Sequence, residues 1–256
     1  MEIRALLFDV NSTLIDIETD ERMDEIYRAI ARFLSYQGIF LHRGELCELY
    51  FQVMKEQFRG SLEKYPEFNV VAVWQEILAR NATAHTRSLS PQKLQQLPLL
   101  IAEMQRGISR KRLLPFPQVE EVLRRLKERY RLAVVTDAQS AYALPELRAV
   151  GLHEYFDPIV ISGDYGYRKP DPRLFQAALD RLQVTPDQAI FVGDDRYRDV
   201  FGARQLGMKT VWLCNQRVGS HPGDAEPDYI IYGFGELENA LDFFAGRHTA
   251  SSPGSR

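Results

Sequence analysis

Ile3-Arg4-Ala5-Leu6-Leu7-Phe8-Asp9-Val10-Asn11-Ser12-Thr13 opens the chain with a short apolar run that stops at an acid and gives way to turn formers. A half-exposed strand would alternate apolar and polar residues. An unbroken run of this length predicts a strand covered on both faces, as in a parallel sheet sandwiched by helices. Asp9 then falls at the carboxyl edge of that sheet, the edge along which open α/β sheets collect their polar chemistry.

Working outward, five more runs of the same kind recur: Leu132–Val135 ending at Thr136, Pro158–Ile161, Ala189–Val192, Thr210–Leu213 and Tyr229–Ile231. Helix-spaced stripes separate them: Val119, Val122, Leu123 and Leu126; Leu144, Leu147 and Val150; Phe175, Ala178, Leu179 and Leu182. Strand alternating with helix from about residue 117 onward predicts an α/β core, a doubly wound Rossmann-like parallel sheet. The stretch 16–112 reads differently. Met23, Ile26, Tyr27, Ile30, Phe33 and Leu34 keep helical spacing, and so do Leu46, Leu49, Tyr50, Val53 and Met54. Further stripes follow at Val73, Ile77 and Leu78 and at Leu97, Ile101 and Met104, with few strand signals between. An inserted α-helical cap of about four helices is expected there, with Pro115 and Pro117 marking the return to the core. The expected domains are therefore a core of 1–15 and 113–246, a cap of 16–112, and a flexible tail of 247–256 rich in Ser, Pro and Gly.

Composition narrows the function class. The 256 residues are 45% apolar and 26% charged, with 32 basic against 35 acidic side chains, so no general attraction to nucleic acid or to an anionic membrane is expected. Arg4 and Asp9 interrupt the N-terminal apolar run, no segment approaches bilayer length, and a cytoplasmic protein is the expectation. Cys47 and Cys214 form no redox or metal motif, and His42, His85, His153, His221 and His248 lack ligand spacing.

Asp9, Thr136, Lys169, Asp194, Asp195 and Asp199 all follow or lie close to strand ends. Any one of them alone reads as a turn former or helix cap. Together, carboxylates, a hydroxyl and a lysine on one sheet rim are the groups a phosphate-handling site around a hard cation needs.

In these residues the chain resembles the haloacid dehalogenase-like hydrolase superfamily, in the subgroup whose helical cap follows the first strand. The first motif reads Asp9-Val10-Asn11-Ser12-Thr13, and the second is Thr136. The third is Lys169-Pro170, and the fourth is Gly193-Asp194 with Asp199 downstream. The resemblance implies a magnesium-dependent phosphatase working on a small phosphorylated metabolite through an aspartyl-phosphate on Asp9. It implies Mg²⁺ held by Asp9, Asp194 and the main-chain carbonyl of Asn11, phosphate oxygens held by Thr136 and Lys169, and Lys169 oriented by Asp199. Asp195 is expected to be solvated or a helix cap. The sequence departs from the family pattern at Asn11, where active phosphatases carry the Asp that protonates the leaving oxygen and then activates water. An amide has no such proton, so the expectation is a phosphatase whose turnover hinges on Asn11, with Asp195, Asp137 or a water as substitute. The alternatives are a catalytically impaired phosphate-ligand binder of the same fold and a 2-haloacid dehalogenase. Dehalogenases of the family lack the acid at the place of Asp194, which would repel a carboxylate substrate.

In the cap, Arg106, Arg110, Lys111 and Arg112 read as a solvated basic hinge, or else as an attractor of phosphorylated substrate. Phe51, Phe58, Tyr65 and Phe68 are candidates for the underside of the lid, with core packing the expectation for Phe51 and Phe58. Asp164 is expected to support the site from behind. Oligomeric state cannot be read from the apolar stripes, because cap and core helices account for them.

Overall fold

A computed structural model describes residues 2–214 and 222–246. In chain order, β1 (Ala5–Phe8) and β2 (Ile15–Thr19) lead into α1 (Asp24–Ser35), α2 (Arg43–Gly60), α3 (Val70–Arg80), the single turn α4 (Ala84–Arg87) and α5 (Pro91–Ser109). The chain returns through β3 (Arg110–Pro115), α6 (Val119–Lys127), β4 (Arg131–Thr136), α7 (Ser140–Ala149), β5 (Ile159–Ile161) and α8 (Pro172–Leu182). It closes with β6 (Ala189–Gly193), the short α9 (Gly202–Arg204), β7 (Lys209–Leu213), β8 (Tyr229–Ile231) and α10 (Leu237–Phe244).

Six strands form one sheet in the order β5-β4-β1-β6-β7-β8, and every neighbouring pair is parallel. The two faces explain the unbroken apolar runs. Leu6, Phe8, Val134, Ile190 and Val192 face α6 and α10, where Val122, Leu126, Leu237 and Leu241 wait. Leu7, Ala133, Val135 and Phe191 face the opposite way, onto Leu174, Phe175, Leu179 and Leu182 of α8. Leu6, Leu7 and Phe8 are fully buried, and each such side chain contributes roughly 1.5–3 kcal/mol of hydrophobic stabilisation. β1 lies between β4 and β6, so the chain winds away from it in both directions. The crevice at its carboxyl end is the topological switch point, the usual ligand position in such sheets.

The cap is a helical bundle with a core of its own. Ile26, Tyr27 and Ile30 of α1 meet Leu46, Tyr50 and Val53 of α2, Val73, Trp74 and Ile77 of α3, and Leu97 and Ile101 of α5. Trp74 is wholly buried, and its indole N–H donates to Gln105 Oε1 at 2.8 Å. That bond offsets the cost of burying the donor. The bundle is joined to the core by an antiparallel ribbon in which Ile15 faces Pro115 and Thr19 faces Arg110. A purely helical reading of 16–112 does not contain this ribbon. Ile15 and Ile17 alternate with Asp16 and Glu18 over only five residues, the partner strand opens on three basic residues, and ion pairs join the two, Arg112 to Asp16 at 2.9 Å and to Glu18 at 2.9 Å.

Among the described residues, no helix is long and apolar enough to cross a membrane. The tail 247–256, with His248, and also His221 lie outside the described residues.

Candidate active site

The site begins where β1 runs out. The Asp9 N–H donates to the Val192 carbonyl at 3.0 Å, carrying the ladder one residue past the strand. The chain then doubles back: the Leu14 and Ile15 N–H groups both donate to the Val10 carbonyl, at 2.8 and 3.0 Å, and Ser12 takes a left-handed φ of 64°. Asn and Ser suit such a turn because short polar side chains satisfy local backbone groups. The turn folds Thr13 into the interior, where its hydroxyl lies 3.2 Å from Asp194 Oδ1 and 3.4 Å from Asp9 Oδ2.

Asp194 follows β6, and its carbonyl accepts the Trp212 indole N–H at 2.8 Å. A π-helical turn, Arg196–Phe201, then turns Asp199 back toward the sheet. A Cβ on Gly193 would sit 2.3 Å from Asp199 Oδ2, so this approach requires glycine. Asp195 caps the turn by accepting the Tyr197 and Arg198 N–H groups at 2.9 and 2.8 Å. Lys169, only 3% exposed, reaches in from the loop before α8; its Nζ donates to Asp9 Oδ1 at 2.7 Å and to Asp199 Oδ1 at 2.6 Å. Thr136, at the end of β4, is 1% exposed, and its hydroxyl has no hydrogen-bond partner in the protein. A buried hydroxyl left open on the rim suits a ligand oxygen.

Asp9, Asp194 and Asp199 offer carboxylate oxygens that lie within 4.8 Å of one another. Burial, reinforced by the charge of Asp9, pushes Asp194 up to about 6. Burial, together with the charges of Asp9 and Asp194, pushes Asp199 up to about 8 against the pull of Lys169. Burial works against the Lys169 ammonium, but the Asp199, Asp9 and Asp137 carboxylates outweigh it and keep the lysine charged. One cation facing several acids leaves an excess of negative charge in a dry site. Hard oxygen donors in excess of positive charge fit a divalent cation of the magnesium kind. Within the cluster, Asp199 spends one oxygen on Lys169 Nζ and the other on the Asp195 N–H at 3.0 Å.

The expectation that turnover hinges on Asn11 is corrected here. The acids that gather are Asp9, Asp194 and Asp199. They arrive from the ends of β1 and β6 and from the π-helical turn. Asn11, half-buried on the turn after β1, stands outside that group and lines the cleft beneath the cap.

That cleft, about 340 Å³, is bounded by Asn11, Asp137 and Tyr142 of the core and by Tyr50, Phe51 and Phe68 of the cap. Phe51 packs against the cap core as expected, its ring centroid 5.2 Å from that of Tyr50, and also borders the cleft, while Phe58 packs against Phe68 with ring centroids 5.7 Å apart. Tyr65 instead meets Tyr197, hydroxyl to hydroxyl, at 3.3 Å. The basic cluster divides: Lys111 and Arg112 pair with acids near the surface. Arg106 turns inward to Glu146 at 2.6 Å and Glu21 at 3.0 Å. Asp164 accepts from Ser140 Oγ at 2.6 Å at the surface. Gln139 was not foreseen. Its side chain accepts the Val70 N–H at 2.9 Å and donates to the Phe68 carbonyl at 2.8 Å, tying the cap to the core, and no local pattern marks such a long-range contact.

A doubly wound sheet with a buried aspartate cluster at its switch point and a helical lid above it defines an aspartate-centred hydrolase. The sequence model of the haloacid dehalogenase-like hydrolases matches residues 3–207, and the chain belongs to that family. It is an enzyme family, and the aspartate cluster is intact in this chain. The chain is 38% identical over 92 residues to the glyceraldehyde 3-phosphate phosphatase of Pyrococcus furiosus, covering 36% of this chain and 38% of that protein's length. To the glyceraldehyde 3-phosphate phosphatase of Methanothermobacter thermautotrophicus it is 26% identical over 232 residues, 89% of this chain and 91% of the relative. The crystal structure of a 2-haloacid dehalogenase from Pseudomonas syringae superposes with a TM-score of 0.68 at 25% identity, covering 94% of this chain and 99% of the other.

Proposed function

We propose that this protein is a Mg²⁺-dependent phosphatase that cleaves a small phosphoester, with Asp9 as nucleophile. The observation that carries the reading is the Asp9 carboxylate fixed between Lys169 Nζ and the Thr13 hydroxyl, with the Asp194 carboxylate alongside. A carboxylate held in this way keeps one orientation toward an incoming phosphorus atom. Asp9, Asp194 and the main-chain carbonyl of Asn11 would hold Mg²⁺, which would supply positive charge to the transferring phosphoryl oxygens. Thr136 offers its open hydroxyl, and Lys169 its ammonium, to the remaining phosphate oxygens. Asp199 positions Lys169. The cap excludes water from the cleft and reads the leaving group.

A cleft of about 340 Å³ suits a compact alcohol. The names of the archaeal relatives make glyceraldehyde 3-phosphate the first compound to try. A small phosphorylated metabolite is consistent with a cytoplasmic site of action. A second reading, a 2-haloacid dehalogenase, draws on the Pseudomonas syringae structure. Buried Asp194 beside Asp9 weighs against it, because two carboxylates repel a third in a site of low dielectric.

The deciding experiment measures inorganic phosphate released from a panel of small phosphoesters with Mg²⁺ and with EDTA, using wild type and Asp9→Asn. Mg²⁺-dependent release that vanishes in Asp9→Asn is expected. Chloride release from 2-chloropropionate in EDTA, without phosphate release from any ester, would overturn the reading in favour of dehalogenation.

A further inference from the structure

Phosphoester cleavage by a carboxylate needs a proton for the departing oxygen and later a base for water, and none of Asp9, Asp194 or Asp199 is free for both tasks. Asp9 is bonded to phosphorus during the reaction. Asp194 stands in the acid cluster, and Asp199 is bound on both oxygens. Asp195 is likewise committed: it caps two N–H groups and holds Arg198 Nε at 2.7 Å. Burial works against its charge, but those bonds keep its carboxyl below the usual range, which makes it a poor proton donor.

Asp137 differs on every count. β1 and β4 run parallel, with Ala5 opposite Arg131 and Phe8 opposite Val134. Asp137 directly follows Thr136 at the end of β4, and it lines the cleft under the cap together with Asn11. The Asp137 carboxyl is fixed from one side only. Its Oδ1 accepts the Lys169 N–H at 2.9 Å, whereas Oδ2 is buried, makes no hydrogen bond and stands 3.7 Å from Arg198 Nη1.

From this geometry we infer that Asp137 is the catalytic acid and base of the reaction, acting through Oδ2 on the leaving oxygen and then on water. The inference rests on the phosphatase reading above. In the first half, an Asp9 oxygen bonds phosphorus, the bond from phosphorus to the alcohol oxygen breaks, and the Asp137 carboxylic acid gives that oxygen its proton. In the second half, water bonds phosphorus as the Asp9–phosphorus bond breaks, and the Asp137 carboxylate takes the proton that water releases. Phosphoester and water become alcohol and phosphate, and both carboxyl groups return to their starting states. The charged groups around Asp137 suit the role. Burial raises its pKa, the Lys169 ammonium and Arg198 pull it down, and the Asp9 carboxylate pushes it up. Glu67 faces it from the cap. A group raised toward neutrality exchanges protons near neutral pH more readily than one held low.

The test is Asp137→Asn, assayed with Mg²⁺ on p-nitrophenyl phosphate and on an alkyl phosphate that wild type hydrolyses. Asn keeps the oxygen that accepts the Lys169 N–H. Alkyl ester turnover is expected to fall about 100-fold or more. The nitrophenyl ester, whose leaving group needs no proton, is expected to fall far less in the first half-reaction, read as the burst of nitrophenol. The limb of the kcat–pH profile that reports the acid should disappear as well. Because both substrates are measured on one preparation, their ratio is independent of any loss of folded protein. An equal fall for both esters, or none, overturns the role of Asp137 and leaves the phosphatase reading standing. No phosphate release by wild type from any ester overturns both.

Discussion

Lys169 Nζ donates to Asp199 Oδ1 at 2.6 Å, and their side chains are only 2% and 1% exposed. A pair buried this deeply contributes through its geometry more than its strength, because desolvation offsets much of the attraction. Removing one partner is another matter. Lys169→Met leaves the acid cluster without its cation and is expected to cost about 3–5 kcal/mol of stability. Urea unfolding in EDTA measures this. Added Mg²⁺ should restore part of the loss, since a ligand that binds only the folded state stabilises it.

Gly193 presents a steric prediction. A methyl group there meets Asp199 Oδ2 at 2.3 Å. Gly193→Ala is therefore expected to displace Asp199, release Lys169 from its fixed position and reduce phosphate release at least 10-fold. The accompanying cost in stability is about 1–3 kcal/mol. Activity that is unchanged in a variant of unchanged stability would remove Asp199 from the machinery.

Gln139 ties the cap to the core through the Val70 N–H and the Phe68 carbonyl. With each net hydrogen bond worth about 0.5–1.5 kcal/mol, Gln139→Ala is expected to loosen cap docking. Phe68 and Asp137 line the same cleft, so KM should rise more than kcat falls. Steady-state kinetics with limited proteolysis of the cap checks this.

Glu67 supplies the pH dependence. Burial raises its pKa, and the charge of Asp137 adds to the effect, although Ser162 Oγ donates to it at 2.9 Å. An acid raised on folding binds its proton more tightly in the folded state. Its contribution to stability is fully present below the unfolded value, about 4.3, and is lost as pH rises through the folded one. Glu67→Gln should erase this dependence. The stability difference between wild type and variant is expected to move in the variant's favour from pH 4 to pH 8, by denaturant titration at both.

Strands β1, β4, β5 and β6 were legible because apolar clusters cover both of their faces, so that each shows as an apolar run, whereas Ile230 of the edge strand β8 is exposed. The joining ribbon was not, since Arg110, Lys111 and Arg112 look like a solvated hinge and the acids paired with Lys111 and Arg112 lie some ninety residues earlier. Arg106 was hidden by those same neighbours, although it points inward to Glu21 and Glu146. Strand-end spacing singled out Asp9, Thr136, Lys169, Asp194 and Asp199, and the hydrogen bonds gather four of them into one network with Thr13. The weight placed on Asn11 came from comparing one motif position in isolation. Sequence offers Asp137 as a substitute, but only the fold sets it in the same cleft as Asn11 with a buried Oδ2 that makes no hydrogen bond.

Thr19 and Arg110 pair across the ribbon, so some ninety residues of chain depart and return side by side through a single doorway. Loop-closure entropy grows only slowly with length, and here the two ends are already held together. Whatever fills the interval, its size and shape weigh little on the sheet beneath. The arrangement behaves like a bayonet mount: lids can be exchanged, lengthened or recut for a different alcohol while Asp9 and its neighbours stay where they are.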